Sequence, residues 1–300
     1  MQDLAFNPYL AFGWSVFAGF VMAMGGGGGG ILAGIGHISV LGIGDPNMIK
    51  AVNQILEFIS RIFSVPIYQR QKRIVWPLAV AFAIGAPLGA IAGSWFSKNY
   101  LGDMADYWPV FGALVALVAA RVLYEAWTRS PSRAARKAEA ASERVRQAQI
   151  DAESGHAPAG HAPKTLSIAW NRVRIAFAGE EFDFKPLGVA AGAFGISFLG
   201  ASVGVGGGFL VTPFMATILL FPMYLVVGTA LVALMVPLMA SVLAYIAMHV
   251  HIDWWLVGIE GSGIMIGSLL GPMLNRYINE RLLKLYVAII LFAIGLYYLI

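Results

Sequence analysis

Cysteine is absent from this chain of 300 residues, and charged residues are scarce. The lack of cysteine excludes disulfide bonds, thiolate metal sites and cysteine nucleophiles. Asp, Glu, Lys and Arg make up 12% of the sequence, against about 25% in soluble domains. Too few charges remain to cover a water-facing surface. A soluble enzyme, a disordered chain and a nucleic-acid-binding protein are therefore excluded, in spite of a net charge of +4.

Sequence signatures of catalysis are also missing. The chain contains neither a GxSxG nor an HExxH motif, and no group of histidines and carboxylates has metal-ligand spacing. We therefore expect no enzymatic activity, no metal and no cofactor.

Long apolar segments are abundant, since 59% of the residues are hydrophobic and the mean hydropathy is +0.74. A helix needs about 20 apolar residues to cross the hydrocarbon core. Six segments are long enough: Asn47–Tyr68, Ile74–Phe96, Tyr107–Trp127, Met223–Met248, Trp254–Leu274 and Leu283–Ile300. The sequence therefore predicts an all-α, polytopic membrane protein in contact with the lipid bilayer.

Glycine runs interrupt two further apolar regions. Gly25–Gly30 separates Pro8–Met24 from Ile31–Ile43, and Gly204–Gly208 lies at the same point of the second half, with Val205 as its one other residue. A glycine costs about 1 kcal/mol in a helix interior. These regions are therefore predicted to be broken helices or re-entrant hairpins with glycine at the tip.

The two halves of the chain are related by a shift of 178 residues. This shift aligns Pro8 with Pro186, Gly28–Gly30 with Gly206–Gly208 and Trp76 with Trp254. It also aligns two glycine rows, Gly85, Gly89 and Gly93 with Gly263, Gly267 and Gly271, which have the small-xxx-small spacing of close helix contacts. We therefore divide the chain into a first membrane repeat (1–127), a linker (128–185) and a second membrane repeat (186–300).

Basic residues indicate opposite orientations for the repeats. The loop before Ile74 holds Arg70, Lys72 and Arg73, whereas its equivalent, His249–Ile252, holds no Lys or Arg. The linker carries 10 of the 20 Lys and Arg residues. By the positive-inside rule, the linker is cytoplasmic and equivalent loops lie on opposite faces. Inverted repeats are typical of secondary transporters, with the substrate site near the bilayer midplane.

The glycine runs are the first candidate for that site. Glycine exposes backbone N–H groups, and the start of the helix that follows is electropositive. Two such glycine runs, each followed by a helix start, would bind a small anion if they met at the bilayer midplane. The alternative interpretation is that the glycines only allow close packing of helices. The candidate residues are Gly27, Gly28, Gly29 and Gly30 in the first repeat, and Gly206, Gly207 and Gly208 in the second.

Polar residues inside the apolar segments are the second candidate, since such residues are rare in membranes. Asn53 and Gln54 align with Thr229 and Ala230 and would complete the shell of the anion. Glu57 and Arg61, four residues apart, form either a structural ion pair or an anion-attracting Arg61 beside a titrating Glu57. Glu57, Glu260 and His37 are the candidates for proton coupling.

The segment Gly204–Pro213 (GVGGGFLVTP), with Val227–Ala230 (VGTA), resembles the sulfite exporter TauE/SafE family of membrane permeases. The first half carries a looser copy at Gly26–Leu32, with Ile35 where the second half has Pro213. The resemblance implies a secondary transporter for sulfite, an organosulfonate or a related oxyanion in the bacterial cytoplasmic (inner) membrane.

The sequence leaves several alternatives open. An anion channel, an uptake permease for another small oxyanion or carboxylate, and a receptor subunit whose linker docks a soluble partner remain candidates. The linker is either a connection between inverted halves or a regulatory element, and the chain acts as a monomer or as a homo-oligomer.

Overall fold

The computed structural model describes residues 6–25, 29–127, 136–145 and 162–274. Helices dominate these residues, as expected for an all-α membrane protein, and one small sheet is added to them. The helices are α1 (Pro8–Gly25), α2 (Gly29–Ile35), α3 (Pro46–Arg70), α4 (Trp76–Tyr100), α5 (Met104–Trp127), α6 (136–145), α7 (Pro186–Val203), α8 (Gly208–Pro213), α9 (Met223–Ala233), α10 (Met235–Ala247) and α11 (Trp254–Leu274).

Four helical segments of the described chain are long and apolar enough to cross a membrane: Trp76–Tyr100, Pro186–Val203, Met223–Ala247 and Trp254–Leu274. The third corresponds to the predicted segment Met223–Met248, but the structure divides it at Leu234 into α9 and α10. Leu283–Ile300, the last predicted segment, lies outside the described residues.

In the second half, the glycine run separates two helices: the chain leaves α7 at Val203 and re-enters a helix at Gly208. In the first half, α1 is described up to Gly25 and α2 from Gly29, and the three glycines between them lie outside the described residues. Each short helix continues into one π-helical turn, Gly36–Val40 after α2 and Phe214–Ile218 after α8. The turn after each is closed by equivalent bonds: the Leu41 and Leu219 amides donate to the carbonyls of Gly36 and Phe214.

Each half of the chain packs one of its helices along a helix of the other half. Helix α4 of the first half packs along α7 of the second, and α11 of the second half packs along α1 of the first. Both contacts rest on the predicted glycine rows, where a Cβ atom would overlap the neighbouring backbone. The row Gly85, Gly89 and Gly93 contacts the backbone of Ala190, Phe194 and Phe198, and the row Gly263, Gly267 and Gly271 contacts α1 between Phe12 and Met24.

The linker contains a small folded unit. Strands β1 (Lys164–Ile168), β2 (Val173–Phe177) and β3 (Glu180–Phe184) form an antiparallel sheet in that order. Strands β2 and β3 are joined by a hairpin turn at Ala178–Gly179, where both residues have a positive φ. One face of the sheet is apolar and packs with α6 against the loop before α9 and the first turn of α9. The contacts include the stacked rings of Phe177 and Tyr224 and the tilted rings of Phe182 and Phe221.

Helix α4 separates two ends of the molecule. At its start, the Arg73 guanidinium lies over the ring of Tyr224, which also stacks on Phe177 of the sheet. At its end, the Lys98 ammonium donates to the Met248 carbonyl. A helix of 25 residues is about 37 Å long. The loop before α4 and the equivalent loop before α11 are thus at opposite ends of α4.

Candidate functional site

Helix α3 differs from its neighbours because its buried side carries polar residues. Asp45 caps its first turn by accepting from the Asn47 and Met48 amides, and Pro46 occupies the first position, where its missing N–H costs nothing. The buried polar residues then recur every three or four positions, which is one face of a helix. They are Lys50, Asn53, Gln54, Glu57, Ser60, Arg61 and Ser64.

Glu57 and Arg61 form the predicted ion pair in the middle of this face. The Arg61 guanidinium donates to Glu57 Oε2 at 2.7 Å and to the Glu57 backbone carbonyl at 2.7 Å. Both side chains are 3% exposed or less. Within the described chain, Glu57 Oε1 and Arg61 Nε have no hydrogen-bond partner. Among the described residues, the ion pair therefore leaves one buried acceptor, Glu57 Oε1, and one buried donor, Arg61 Nε, without a hydrogen bond.

Asn53 joins the two glycine segments. Its amide nitrogen donates to the Gly30 carbonyl at 2.9 Å and to the Gly204 carbonyl at 2.5 Å. A Cβ atom at Gly30 would lie 3.0 Å from the Val205 carbonyl oxygen. The segments from the two halves are therefore in contact, and α3 lies against both of them.

The Glu57 carboxyl group lies between those glycine segments. A Cβ atom at either Gly30 or Gly206 would overlap its oxygens, so only glycine leaves room for the carboxylate on both sides. Gly206 also has a φ of +60°, a conformation that other residues rarely adopt. We call the group formed by Gly30, Asn53, Glu57, Arg61 and Gly206 the glycine junction.

The remaining predicted glycines are not all part of the junction. Gly27 and Gly28 lie outside the described residues. Gly29 packs against Met22 of α1, and Gly207 packs against Ile196 and Gly200 of α7. Gly208 is buried at the start of α8. The structure thus brings one glycine of each predicted set, Gly30 and Gly206, against the polar face of α3.

The polar residues predicted to complete the shell have different surroundings. Gln54 is buried next to Asn53 in the sequence, and its Nε2 has no hydrogen-bond partner in the described part of the chain. The Thr229 hydroxyl is already occupied: it donates to the Leu225 carbonyl at 2.7 Å and accepts from the Val75 amide at 2.9 Å. Thr229 therefore fixes the start of α4, and its role in substrate binding stays a prediction.

His37 and Glu260 form a second buried polar pair. The sequence predicts both residues as candidates for proton coupling and gives Glu260 no evident partner on its own helix. In the structure, His37 Nε2 and Glu260 Oε2 are 2.7 Å apart, and both side chains are at most 2% exposed. The pair joins the π-helical turn after α2 to α11. The other ring nitrogen of the histidine, His37 Nδ1, has no hydrogen-bond partner among the described residues.

A fold that separates helices at glycine runs and buries polar pairs between them suits a membrane permease, and the comparison with protein families decides which kind. The family model for Sulfite exporter TauE/SafE matches residues 11–298. The chain belongs to the TauE/SafE family. The match confirms the resemblance carried by the second glycine segment, and it extends over both halves and the linker.

Curated relatives agree with membership of the TauE/SafE family. The chain is 22% identical over 253 residues to the probable membrane transporter protein YunE of Bacillus subtilis, covering 83% of this chain and 80% of the relative. It is 25% identical over 285 residues to a probable membrane transporter protein of Xylella fastidiosa, covering 93% and 90% of the two chains. No solved structure matches the chain. The protein is thus a multi-pass membrane protein of a transporter family.

Two buried features of this TauE/SafE protein escaped the sequence analysis. The Lys50 ammonium donates to the Leu101 carbonyl at 2.7 Å, at the end of α4, and lies over the Tyr107 ring. The hydroxyl of Ser268 on α11 donates to that of Ser60 on α3 at 2.7 Å. A charged residue four positions into an apolar segment was a usable signal for Lys50. Nothing in the sequence marks two serines 208 positions apart as partners.

Proposed function

We propose that this TauE/SafE protein is a secondary transporter that exports a small sulfur-containing anion, sulfite or an organosulfonate, by alternating access. The family and the curated relatives support membrane transport, and the family's description supports the sulfur oxyanion. One structural observation carries the location of the site: Asn53 binds both glycine segments beside the buried Glu57–Arg61 pair. We place the anion at the glycine junction.

The chemistry of the junction suits an anion that enters and leaves. A buried polar atom without a partner costs about 1–3 kcal/mol, so Arg61 Nε and Gln54 Nε2 are donors that gain from a ligand. In this conformation the Glu57 carboxylate holds Arg61 and fills the space between Gly30 and Gly206. A carboxylate and a sulfur oxyanion both accept hydrogen bonds from Arg. The substrate therefore competes with Glu57 for the same guanidinium.

Protonation of Glu57 provides a coupling step. A neutral carboxyl group releases the Arg61 charge to the substrate anion, and loss of the proton restores the internal pair and expels the anion. Anion and proton then occupy the junction together and cross the membrane in the same direction, which couples the gradient of the anion to that of the proton. His37 and Glu260, a buried pair on other elements, form a second candidate for the proton path.

Inverted repeats would supply the movement. The loop before α4 and the equivalent loop before α11 are at opposite ends of α4, as an inverted arrangement requires. One helix of each half also packs against the other half along a row of glycines, α4 on α7 and α11 on α1. Rocking of α1 and α11 against α4 and α7 would expose the junction to one side of the membrane and then to the other.

Substitution of Gly206 tests the site. Gly206→Ala places a methyl group on the Glu57 carboxylate and strains the backbone, so we expect sulfite efflux from proteoliposomes to fall at least tenfold. Gly195→Ala on α7 is the matched control, because its Cβ atom meets no other atom within 4 Å. Both proteins are first checked for folding by size-exclusion chromatography. Wild-type efflux by folded Gly206→Ala protein would refute the junction as the site.

Substrate and mechanism need two further measurements. A thermal-shift series with sulfite, sulfate, sulfonates and carboxylates on purified protein should show the largest stabilisation with a sulfur oxyanion. Exchange of labelled against unlabelled substrate across the membrane should accelerate uptake by a carrier. An anion channel shows no such acceleration, and that result would replace the carrier mechanism.

A further inference from the structure

The turn between β1 and β2 exposes large apolar side chains. Trp170 is 95% exposed and Ile168 is 73% exposed. Ile168 pairs with Val173 and therefore lies on the apolar face of the sheet. Val173 itself is buried. The apolar face thus continues across β1 beyond the part that α6 and the loop before α9 cover.

Strand register places this turn beside the membrane. Val173 pairs with Ile168 on one side and with Phe184, the last residue of β3, on the other. Lys185 alone separates β3 from Pro186, where the membrane-spanning helix α7 begins. The turn that carries Trp170 and the start of α7 are therefore at the same end of the sheet.

The surroundings of the turn have the composition of a membrane interface. Leu187, in the first turn of α7, is 81% exposed, and no other described element covers it. Lys185 is exposed next to it. Tryptophan is enriched at the headgroup level, and basic residues there contact lipid phosphates. The opposite, outer face of the sheet carries the ion pairs Arg172–Asp183 and Arg174–Glu181 and is suited to water.

We propose that the β1–β2 turn inserts Trp170 and Ile168 into the headgroup region of the bilayer that α7 crosses. The folded linker is then held on the membrane surface at two places, by the start of α7 and by this turn. The proposal does not depend on the substrate or on the glycine junction. A second copy of the chain or a soluble partner covering the turn is the alternative outcome of the test.

The absence of cysteine permits a direct test, because one introduced cysteine takes a nitroxide label at a single position. We would label Trp170→Cys and, as control, Lys164→Cys, which is at the other end of β1 and exposed. Along β1, four residues at about 3.4 Å each separate Lys164 from Ile168, and Trp170 follows two residues later. Both proteins are reconstituted in nanodiscs of phosphatidylethanolamine and phosphatidylglycerol, and the collision of the label with oxygen and with a nickel chelate is measured.

We expect oxygen, which concentrates in lipid, to collide preferentially with the label at 170, and the nickel chelate, which stays in water, to collide preferentially with the label at 164. Equal preference for the nickel chelate at both positions would overturn the proposal. Dipolar broadening at 170 that disappears on dilution with unlabelled protein would assign the turn to a second copy instead. Protection of 170 only after addition of cytosolic extract would assign it to a soluble partner.

Discussion

The two halves of this TauE/SafE protein share backbone features but differ in buried chemistry. Tyr68 donates to the Ala23 carbonyl in the first half, and Tyr245 donates to the equivalent Ala201 carbonyl in the second. The loop residues Lys72 and His249 have φ values of +57° and +58°. By contrast, α3 carries a buried row of charged and amide groups, whereas the equivalent stretch Met223–Ala247 contains no charged residue. The scaffold is duplicated, and the polar site is not.

The second polar pair shows the same asymmetry. A shift of 178 residues takes His37 to Met215, and takes Phe82 to Glu260. Met215 and Phe82 are both buried in an apolar cluster of the structure, at the positions that the His37–Glu260 pair occupies in the other half. A fold that tolerates an apolar pair at these positions does not need the charged one for packing. Packing therefore does not account for the charged pair, and its role in proton coupling stays a prediction.

The shared scaffold predicts the largest effect. Gly89→Val and Gly267→Val each force a side chain into the backbone of the facing helix, near Phe194 and Val16 respectively. We expect both variants to lose folded protein in the membrane, measured as the monodisperse fraction after detergent extraction. Gly258→Val on α11 is the control, because a Cβ atom there meets nothing within 4 Å. Loss of folding in only one of the two would break the equivalence of the halves.

The asymmetric pair predicts an intermediate effect. His37→Met leaves the Glu260 carboxylate buried without its partner, which typically costs about 3–5 kcal/mol. The double variant His37→Met with Glu260→Phe installs the residue types of the other half and should recover most of that loss in thermal unfolding. If the pair carries protons, the double variant also loses the pH dependence of transport. A double variant less stable than His37→Met alone would contradict the comparison.

The matched tyrosines predict the smallest effect. Tyr68→Phe and Tyr245→Phe each remove one buried hydrogen bond to a carbonyl, worth about 1 kcal/mol. The expected decrease in Tm is therefore a few degrees and similar in the two variants. Tyr100→Phe, at an exposed site on α4, should leave Tm unchanged. A clear difference between the two halves would show that these bonds are not equivalent.

Helix positions were largely predictable from the sequence, and contacts between helices were not. The start of the apolar segment at Trp254 was predicted where the helix begins, since length and hydropathy are local properties. The break at Leu234 was missed because the residues around it are apolar and form helices readily. The pairing of α4 with α7 was not evident either, although the glycine rows showed that each helix would have a close neighbour.

Among the contacts of the candidate site, the sequence predicted one within a helix and missed those between helices. The pairing of Glu57 with Arg61 followed from their separation of four residues on one helix. The contact of Glu260 with His37 joins residues 223 positions apart, and no local pattern reports on it. Thr229 was assigned by its alignment with Asn53, yet its hydroxyl binds the start of α4.

By itself, the sequence determined the membrane environment and the approximate positions of the long apolar helices, because both depend on hydropathy and backbone preference within a few turns. Only the tertiary structure decided which buried polar groups on different helices meet. Glu260 meets His37 only because the packing of helices distant in sequence brings the two side chains together. In the same way, Gly30 and Gly206 lie on either side of Glu57 only when both halves are assembled around α3.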